Sequence, residues 1–139
     1  MKSALLIGLV ALFICTLSLG YGVGSAEAAH FKEGISHGIA YMTGGVGLDE
    51  QADMARTAKD FNLKLIFAAT SGPYIADVRV EIKDKSGTKL VDMSSDGPWF
   101  FARLPEGEYR VTLDHAGKKE ETTVNAGTSL QTLNFVWKD

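Results

Sequence analysis

Cysteine is almost absent from this sequence of 139 residues. The single one, Cys15, lies in an apolar run near the N-terminus, and Ile14 occupies the preceding position, where lipid attachment would need a small residue. If this run is removed, the remaining chain has no thiol, which excludes disulfide bonds and thiol catalysis. The stability of the folded part must then come from the packing of its side chains.

The sequence also lacks a strong charge of either sign and a cluster of histidines. Its 14 Lys and Arg against 17 Asp and Glu give a formal net charge of −3, and no run of like charges exceeds a pair. This balance argues against binding nucleic acids or anionic lipids by net charge. The three histidines, His30, His37 and His115, show no metal-ligand spacing, so we expect neither a metal site nor another cofactor.

Nucleophile motifs are missing as well. No G-x-S-x-G pattern occurs, and the stretch 94–96, with two serines and an aspartate, has no base near it in the sequence. The glycine-rich stretch 44–47 fits neither a Walker loop nor a dinucleotide fingerprint, and the acidic Asp49 and Glu50 that follow would repel phosphate. We therefore predict that the chain is not an enzyme.

The N-terminus has the order of a secretory signal peptide. A basic residue precedes the apolar run 4–20, and small residues then lead to an A-x-A site formed by Ala26 and Ala28. The pattern predicts that residues 1–28 are cleaved after Ala28 and that the protein is periplasmic or secreted. The alternative is a retained membrane anchor, but the run is slightly shorter than the roughly 20 residues that span a membrane. What remains has the size of one domain.

The next segment combines a leader with a helix. Residues 29–47 are predicted to form the leader, with a possible first strand at 38–42 and a glycine-rich loop at 43–47, and we expect the part before the strand, up to His37, to be flexible. Residues 48–61 follow as a helix that starts with acidic residues, as the helix dipole favours. Its apolar stripe consists of Leu48, Ala52, Ala55, Ala58 and Phe61.

From residue 62 onward the sequence alternates as short β-strands do. Leu63, Leu65 and Phe67 fall on one side of the segment 63–70, and the segment 75–84 alternates apolar with charged residues. The further predicted strands are 88–94, 99–104, 109–114, 119–126 and 129–137. Turn signals recur roughly every ten residues, so the pattern predicts a mainly β, antiparallel sandwich of seven or eight strands with one added helix.

A family resemblance rests on three stretches: VRVEIKDKSGTKL at 78–90, SSDGPWFFARLPEGEYRVTL at 94–113 and GKKEETTVNAGTSLQTLNF at 117–135. Together they resemble the carboxypeptidase regulatory-like domain family. The matching positions are Asp84, Gly87, Asp96, Gly97, Leu104, Pro105, Gly107, Tyr109 and Val111. The resemblance implies a Greek-key, transthyretin-like (prealbumin-like) sandwich over 62–139. It also implies an accessory, binding or assembly module rather than one particular activity, and it does not extend to the helix.

The turns and one outer face carry further expectations. Gly97 permits a positive φ after Asp96 in the second turn. The hydroxyl of Tyr109, just after the turn that begins at Pro105, is expected to bond back to the backbone, as at sandwich corners. On the outer face of segment 75–84 we expect cross-strand pairing of the charged residues Arg79, Glu81 and Lys83.

The aromatic residues at 99–101 pose the question of which side chains are core. Alternation and the family pattern predict that Trp99 and Phe101 face inward, while Phe100 faces outward with Ala102. An outward Phe needs a cover, and we expect the helix to supply it with its apolar stripe, through Leu48, Ala55 and Phe61. The alternative is that Phe100 belongs to a surface that binds a partner.

Two functions remain open. The first is a non-catalytic module of the cell envelope that mediates protein–protein interaction or assembly, with a protein partner that the sequence does not identify. The alternative is binding of a small molecule or carbohydrate by aromatic loop residues. The candidate binding residues are Tyr74, Trp99, Phe100 and Arg103. We expect no nucleic acid as partner and no membrane insertion after cleavage; the oligomeric state and the role of the helix stay open.

Overall fold

A computed structural model describes residues 31–138, so the predicted signal peptide at 1–28 lies outside the described residues. The strands of the first half are β1 Lys32–Ser36, β2 Ile39–Gly44, β3 Leu63–Ala69, β4 Arg79–Asp84 and β5 Lys89–Ser94. Those of the second half are β6 Trp99–Arg103, β7 Gly107–His115, β8 Lys118–Ala126 and β9 Gln131–Trp137. The helix α1 spans Leu48–Thr57 and continues into a 3-10 turn at Ala58–Asp60.

The strands form two sheets. The five-stranded sheet has the order β1-β2-β6-β3-β9, and the four-stranded sheet has the order β5-β4-β7-β8. The mainly β class is therefore confirmed. The expected seven or eight strands and the purely antiparallel arrangement are wrong, because residues 31–138 form nine strands and β9 runs parallel to β3. The chain leaves β8 in the four-stranded sheet and crosses to the five-stranded sheet, where β9 forms an edge beside β3.

The strand β1 lies where the sequence predicted a flexible leader, and that prediction is wrong. It pairs with β2 through a two-residue turn in which His37 and Gly38 have φ angles of 47° and 78°. Positive φ at both central residues defines a type I′ turn, which suits a tight hairpin. The Ser36 hydroxyl also donates to the Leu90 carbonyl at 2.8 Å, tying β1 to the other sheet. The strand reads KEGIS, which is too polar to show the alternation that marks the others.

The main core is built from side chains of both sheets. Phe67 and Leu65 of β3 are fully buried, and so are Ile82 of β4 and Val111 of β7. The inward faces predicted for these three strands are confirmed. The predicted corner is also present, because the Tyr109 hydroxyl donates to the backbone carbonyl of Pro105 at 2.7 Å. Burial of such apolar surface, worth about 25 cal/mol per Å², is the dominant favourable term in folding.

The aromatic strand β6 faces the opposite way from the prediction. Phe100 is fully buried in the main core, where its ring stacks on Tyr41 with centroids 6.1 Å apart. Trp99 and Phe101 lie on the other face of the five-stranded sheet, with Phe101 in a second buried cluster. The predicted orientation of the β6 side chains is wrong because β6 is a central strand with both faces covered. Alternation distinguishes core from surface only where one face of a strand is wet.

The helix α1 covers the face of Phe101 rather than that of Phe100. Met54 is fully buried against Met42 and Phe101, in a group we call the helix cluster, which also contains Phe31. The predicted stripe is largely wrong: Leu48 is 83% exposed, and both Ala52 and Ala55 are exposed, whereas Ala58 and Phe61 do pack on the helix cluster. No helix in the part of the chain described is long and apolar enough to cross a membrane.

Hydrogen bonds to the loop before the helix explain its orientation. The carboxylate of Glu50 accepts from the Gly45 backbone N–H at 2.9 Å, and the Gln51 side chain donates to the Gly45 carbonyl at 3.0 Å. These two contacts hold the first turn of α1 against the loop. They turn Met54 toward the sheet and Leu48 away from it.

The two turns on either side of β5 differ in why they need glycine. In the turn before β5, Gly87 has a φ of 88°, and the Oδ1 of Asp84 accepts from the backbone N–H groups of Ser86 and Thr88, both at 2.9 Å. Gly97 does not have the positive φ that the sequence suggested. Its glycine is needed because any Cβ there would collide with the backbone carbonyl of Gly44. The end of β2 and the turn before β6 are therefore in direct backbone contact.

Candidate functional site

The four predicted binding residues do not share one site. Phe100 is fully buried, whereas Tyr74 is 59% exposed in the loop after β3. Trp99 and Arg103 stand at opposite ends of β6. Four residue steps of about 3.3 Å separate them by roughly 13 Å along the strand. Only Tyr74 combines an apolar side chain with clear access to a partner.

Trp99 is covered by atoms of its own chain. A Cβ placed on Gly45 would lie 2.9 Å from the indole Cγ, which shows how closely that backbone approaches the ring. The ammonium of Lys64 lies 3.5 Å from the ring centroid, a cation–π contact, and burial lowers the pKa of Lys64. Phe101 contacts the same ring edge-on at 6.0 Å. The indole therefore serves the packing under the helix and offers little surface for stacking on a ligand.

Arg103 lies in a cleft at the opposite end of the five-stranded sheet. The cleft has a volume of about 610 Å³, and its lining includes Lys59, Asp60, Glu106 and Gly127. Its two cations and two anions balance, so the cleft has no clear charge preference. The buried Asn62 on its wall is already engaged: its side chain bonds to the backbone of Leu104 and Gly127. The Asn62 amide is therefore not free to orient a ligand in this cleft.

Apolar side chains are exposed at the Tyr74 end of the same sheet. Ala68 of β3 pairs with Val136 of β9 on one side and with Tyr74 on the other. Residues directly opposite each other in a sheet project to the same face, so the three form a row. Val136 is 54% exposed, and Val46 lines a cavity of about 220 Å³ together with Tyr74. We call these four residues the end patch.

Tyr74 was predicted from the sequence, whereas the other residues of the end patch were not. Val136 alternates with the inward Phe135 and Trp137, and this alternation was a usable signal for an outward apolar side chain. Val46 has no such signal, because it lies between glycines in a loop. Only the fold brings residues 46, 74 and 136 together.

Ser95, His37 and His115 all make structural contacts, although the buried Nδ1 of His115 has no hydrogen-bond partner among the described residues. The Ser95 side chain is fully buried, and its hydroxyl accepts from the backbone N–H of Val78 at 3.1 Å. His37 bonds to the Leu90 carbonyl at 3.1 Å, while His115 packs edge-on against Trp137. No group of His, Cys, Asp or Glu suited to holding a metal occurs in this part of the chain, and His30 lies outside it.

The outer face of the four-stranded sheet has its charges paired, as predicted. Arg79 donates two hydrogen bonds to the Asp92 carboxylate, at 2.9 and 3.0 Å. Lys83 and Lys89 lie 3.1 and 3.5 Å from Glu81, which completes a network across β4 and β5. The hydrogen bond from Arg79 lowers the pKa of Asp92 to about 2. Three cations and two anions are thus interspersed across β4 and β5, so this part of the face has no extended surface of a single sign.

Comparisons with known proteins identify no family for this chain. No family model matches it, and no curated protein matches it significantly. Within residues 31–138, the end patch brings together three of the six large apolar side chains that are exposed.

Proposed function

We propose that this chain is an exported, non-catalytic module of the cell envelope that binds a protein partner through the end patch. The N-terminal segment 1–28, with its signal-peptide pattern, supports export to the periplasm or the outside. The shared core of the two sheets and the Tyr109 corner support a prealbumin-like Greek-key sandwich as the scaffold. Such a scaffold suits an accessory or assembly role.

The end patch is the observation that carries this proposal. Val46, Tyr74 and Val136 expose more than half of their surface, at 64%, 59% and 54%. Contiguous exposed apolar side chains on a folded protein mark sites of interaction, and tyrosine is enriched at the centre of protein interfaces. A tyrosine also provides one hydrogen-bonding group at little entropic cost.

The absence of catalysis is supported by what the polar groups do. The serine at position 95 has its hydroxyl bonded to backbone, and the described histidines lie apart, His37 in the turn between β1 and β2 and His115 at the end of β7. The alternative of small-molecule or carbohydrate binding has weaker support, because Phe100 is buried, Trp99 is covered and Arg103 lies at the far end of its strand. We therefore favour the interaction module.

A photo-crosslinking experiment in cells tests the proposal. Benzoylphenylalanine placed at position 74 keeps an aromatic ring in the end patch, and light then links it to whatever lies within a few ångströms. We expect one discrete adduct, whose second chain is identified by mass spectrometry. The additional change Val46→Ser should reduce its yield severalfold, because it removes a neighbouring apolar side chain of the same patch.

The matched control places the same photo-reactive residue at position 123. Thr123 is exposed on β8 of the other sheet, away from the end patch. Equal adduct patterns from positions 74 and 123 would refute a role for the end patch, and so would an adduct at position 74 that Val46→Ser leaves unchanged. The absence of any adduct at position 74 would count against a protein partner at this surface.

A further inference from the structure

The edge strand β9 differs from the other three edges in having no charge. It reads QTLNFVW, with no Gly or Pro, and Leu130 before it is 45% exposed. The other edges are β1, β5 and β8, and each contains both Lys and an acidic residue. Charged side chains on edge strands prevent pairing with another chain, so an uncharged edge of seven residues is a ready template for pairing.

The backbone of β9 presents alternate residues to the open side. Gln131 donates its N–H to the Asn62 carbonyl at 3.0 Å, and the Trp137 carbonyl accepts from Thr70 at 2.9 Å, so the odd-numbered residues face β3. The N–H and C=O of a strand residue point to one side and those of the next residue to the other. The backbone groups of Thr132, Asn134 and Val136 therefore point outward. Among the described residues no strand lies beyond β9 to pair with them.

We propose that two copies of this chain pair β9 with β9, antiparallel, about a twofold axis at Asn134. This register places Asn134 opposite its own copy and Thr132 opposite Val136, and each such pair exchanges two backbone hydrogen bonds. The five-stranded sheets of the two copies then join into one continuous sheet. A second copy of the chain is thus one partner of the proposed interaction module. This pairing rests on the proposed function only for the premise that the chain acts by protein contacts.

The side chains of β9 are complementary to themselves in this register. On the core side, Leu133 meets Phe135 of the second copy, and both are only partly buried in the single chain. Apolar cross-strand pairs stabilise a sheet, and this one extends the main core across the interface. On the outer side the small polar Asn134 sits at the axis. Tyr74 is two strand positions from the open edge, so it stays accessible in the pair.

Sedimentation velocity on the purified chain, over a range of concentrations, tests this pairing. We expect a reversible monomer–dimer equilibrium for the unchanged chain. Asn134→Lys puts two ammonium groups opposite each other at the axis and should weaken the association severalfold. The matched control is Asn125→Lys, the same change at an exposed position of the charged edge β8, and it should leave the association unchanged.

A charge-swap mixture establishes the register. Asn134→Lys and Asn134→Glu should each associate more weakly alone than as a one-to-one mixture, because opposite charges then meet at the axis. A chain that is monomeric at every concentration would overturn the proposal, and so would a dimer that Asn134→Lys does not weaken. Both results are separate from the crosslinking at position 74, which reports whether a different protein binds the end patch.

Discussion

At the scale of single residues, the contact between Gly44 and Gly97 joins the end of β2 to the turn before β6. The side chain of Thr43 strengthens this contact: its hydroxyl donates to the Trp99 carbonyl and accepts from the Asp96 N–H, both at 3.1 Å. Thr43 is fully buried, so these bonds also satisfy a polar group that would otherwise destabilise the fold. The turn 96–98 is thus fastened to β2 by sterics and by hydrogen bonds together.

Substitution of Gly97 should therefore be costly. A Cβ there collides with the backbone of Gly44, which cannot move aside as a flexible side chain can. We expect Gly97→Ala to lower the free energy of unfolding by roughly 2–3 kcal/mol, the upper part of the range for overpacking. Gly127→Ala is the control: a Cβ there meets no atom within 4 Å, and its effect in urea unfolding should stay within about 0.5 kcal/mol. Equal effects of the two changes would contradict the steric account.

The ion pair of Arg79 with Asp92 sets a testable pKa. Because the folded-state pKa of Asp92, about 2, lies below the ordinary 3.8, the pair stabilises the fold above pH 3.8, and this contribution is lost as the pH falls through 2. The pair is exposed, so solvent screens the interaction and its contribution to stability should be small. Carboxyl chemical shifts followed by NMR should show Asp92 titrating near 2.

Arg79→Met should raise the pKa of Asp92 toward its ordinary value, because the largest cause of its depression is the hydrogen bond from Arg79. Arg110→Met is the matched control, since Arg110 pairs with Glu121 on the same sheet instead. This control should leave the pKa of Asp92 near 2. A native Asp92 that titrates near 3.8 would contradict the bidentate geometry.

At the scale of elements, the sequence predicts a strand well when one of its faces is wet. Along β4, the charged residues Arg79, Glu81 and Lys83 alternate with the buried Val80 and Ile82. Both the strand and its inward face therefore followed from the pattern. The inward face of β6 could not be predicted in this way, because Trp99, Phe100 and Phe101 are all apolar and both sides of this strand are covered. The inward side of a central strand depends on its neighbours, which the local sequence does not encode.

The candidate site was predictable only in part, for a related reason. Tyr74 stands out in the sequence as an aromatic residue in a loop with Gly72 and Pro73, and the structure does expose it. Its neighbours Val46 and Val136 come from loops and strands distant in the sequence. The position of Val136 beside Ala68 depends on the pairing of β3 with β9, a parallel contact that no turn signal in the sequence indicates.

The helix α1 provides an element-scale prediction, because one side chain anchors it. Met54 is fully buried in the helix cluster, whereas Leu48 at the start of α1 is 83% exposed. Met54→Ala should lower the free energy of unfolding by about 2–4 kcal/mol, the range for removing a large buried side chain. Leu48→Ala should change it by less than about 0.5 kcal/mol, as surface substitutions do.

Urea unfolding followed by circular dichroism measures both changes. The comparison separates the observed packing from the stripe that the sequence suggested, in which Leu48 was the buried residue and Met54 was not. A larger effect of Leu48→Ala than of Met54→Ala would restore the original assignment of the helix face.

At the scale of the whole molecule, the five-stranded sheet has buried side chains on both faces. The main core lies between it and the four-stranded sheet, and the helix cluster lies between it and α1. The sheet is thus shared by two hydrophobic clusters, and β6 supplies Phe100 to one and Phe101 to the other. Because every residue step along β6 alternates between the clusters, the loss of either one should disturb the strand that supports the other.

The two tryptophans of the chain test this coupling, since each reports on one cluster. Trp99 packs on the helix cluster, and Trp137 is buried in the main core. In Trp99→Phe the remaining tryptophan is Trp137, and in Trp137→Phe it is Trp99. We expect each variant to unfold in urea with the same midpoint by tryptophan fluorescence and by far-ultraviolet circular dichroism, as one cooperative unit requires. Comparing two signals within one variant controls for the stability that each substitution costs. Trp99 fluorescence that changes at clearly lower urea than the dichroism would mean that the helix layer separates first, and would contradict a single cooperative fold.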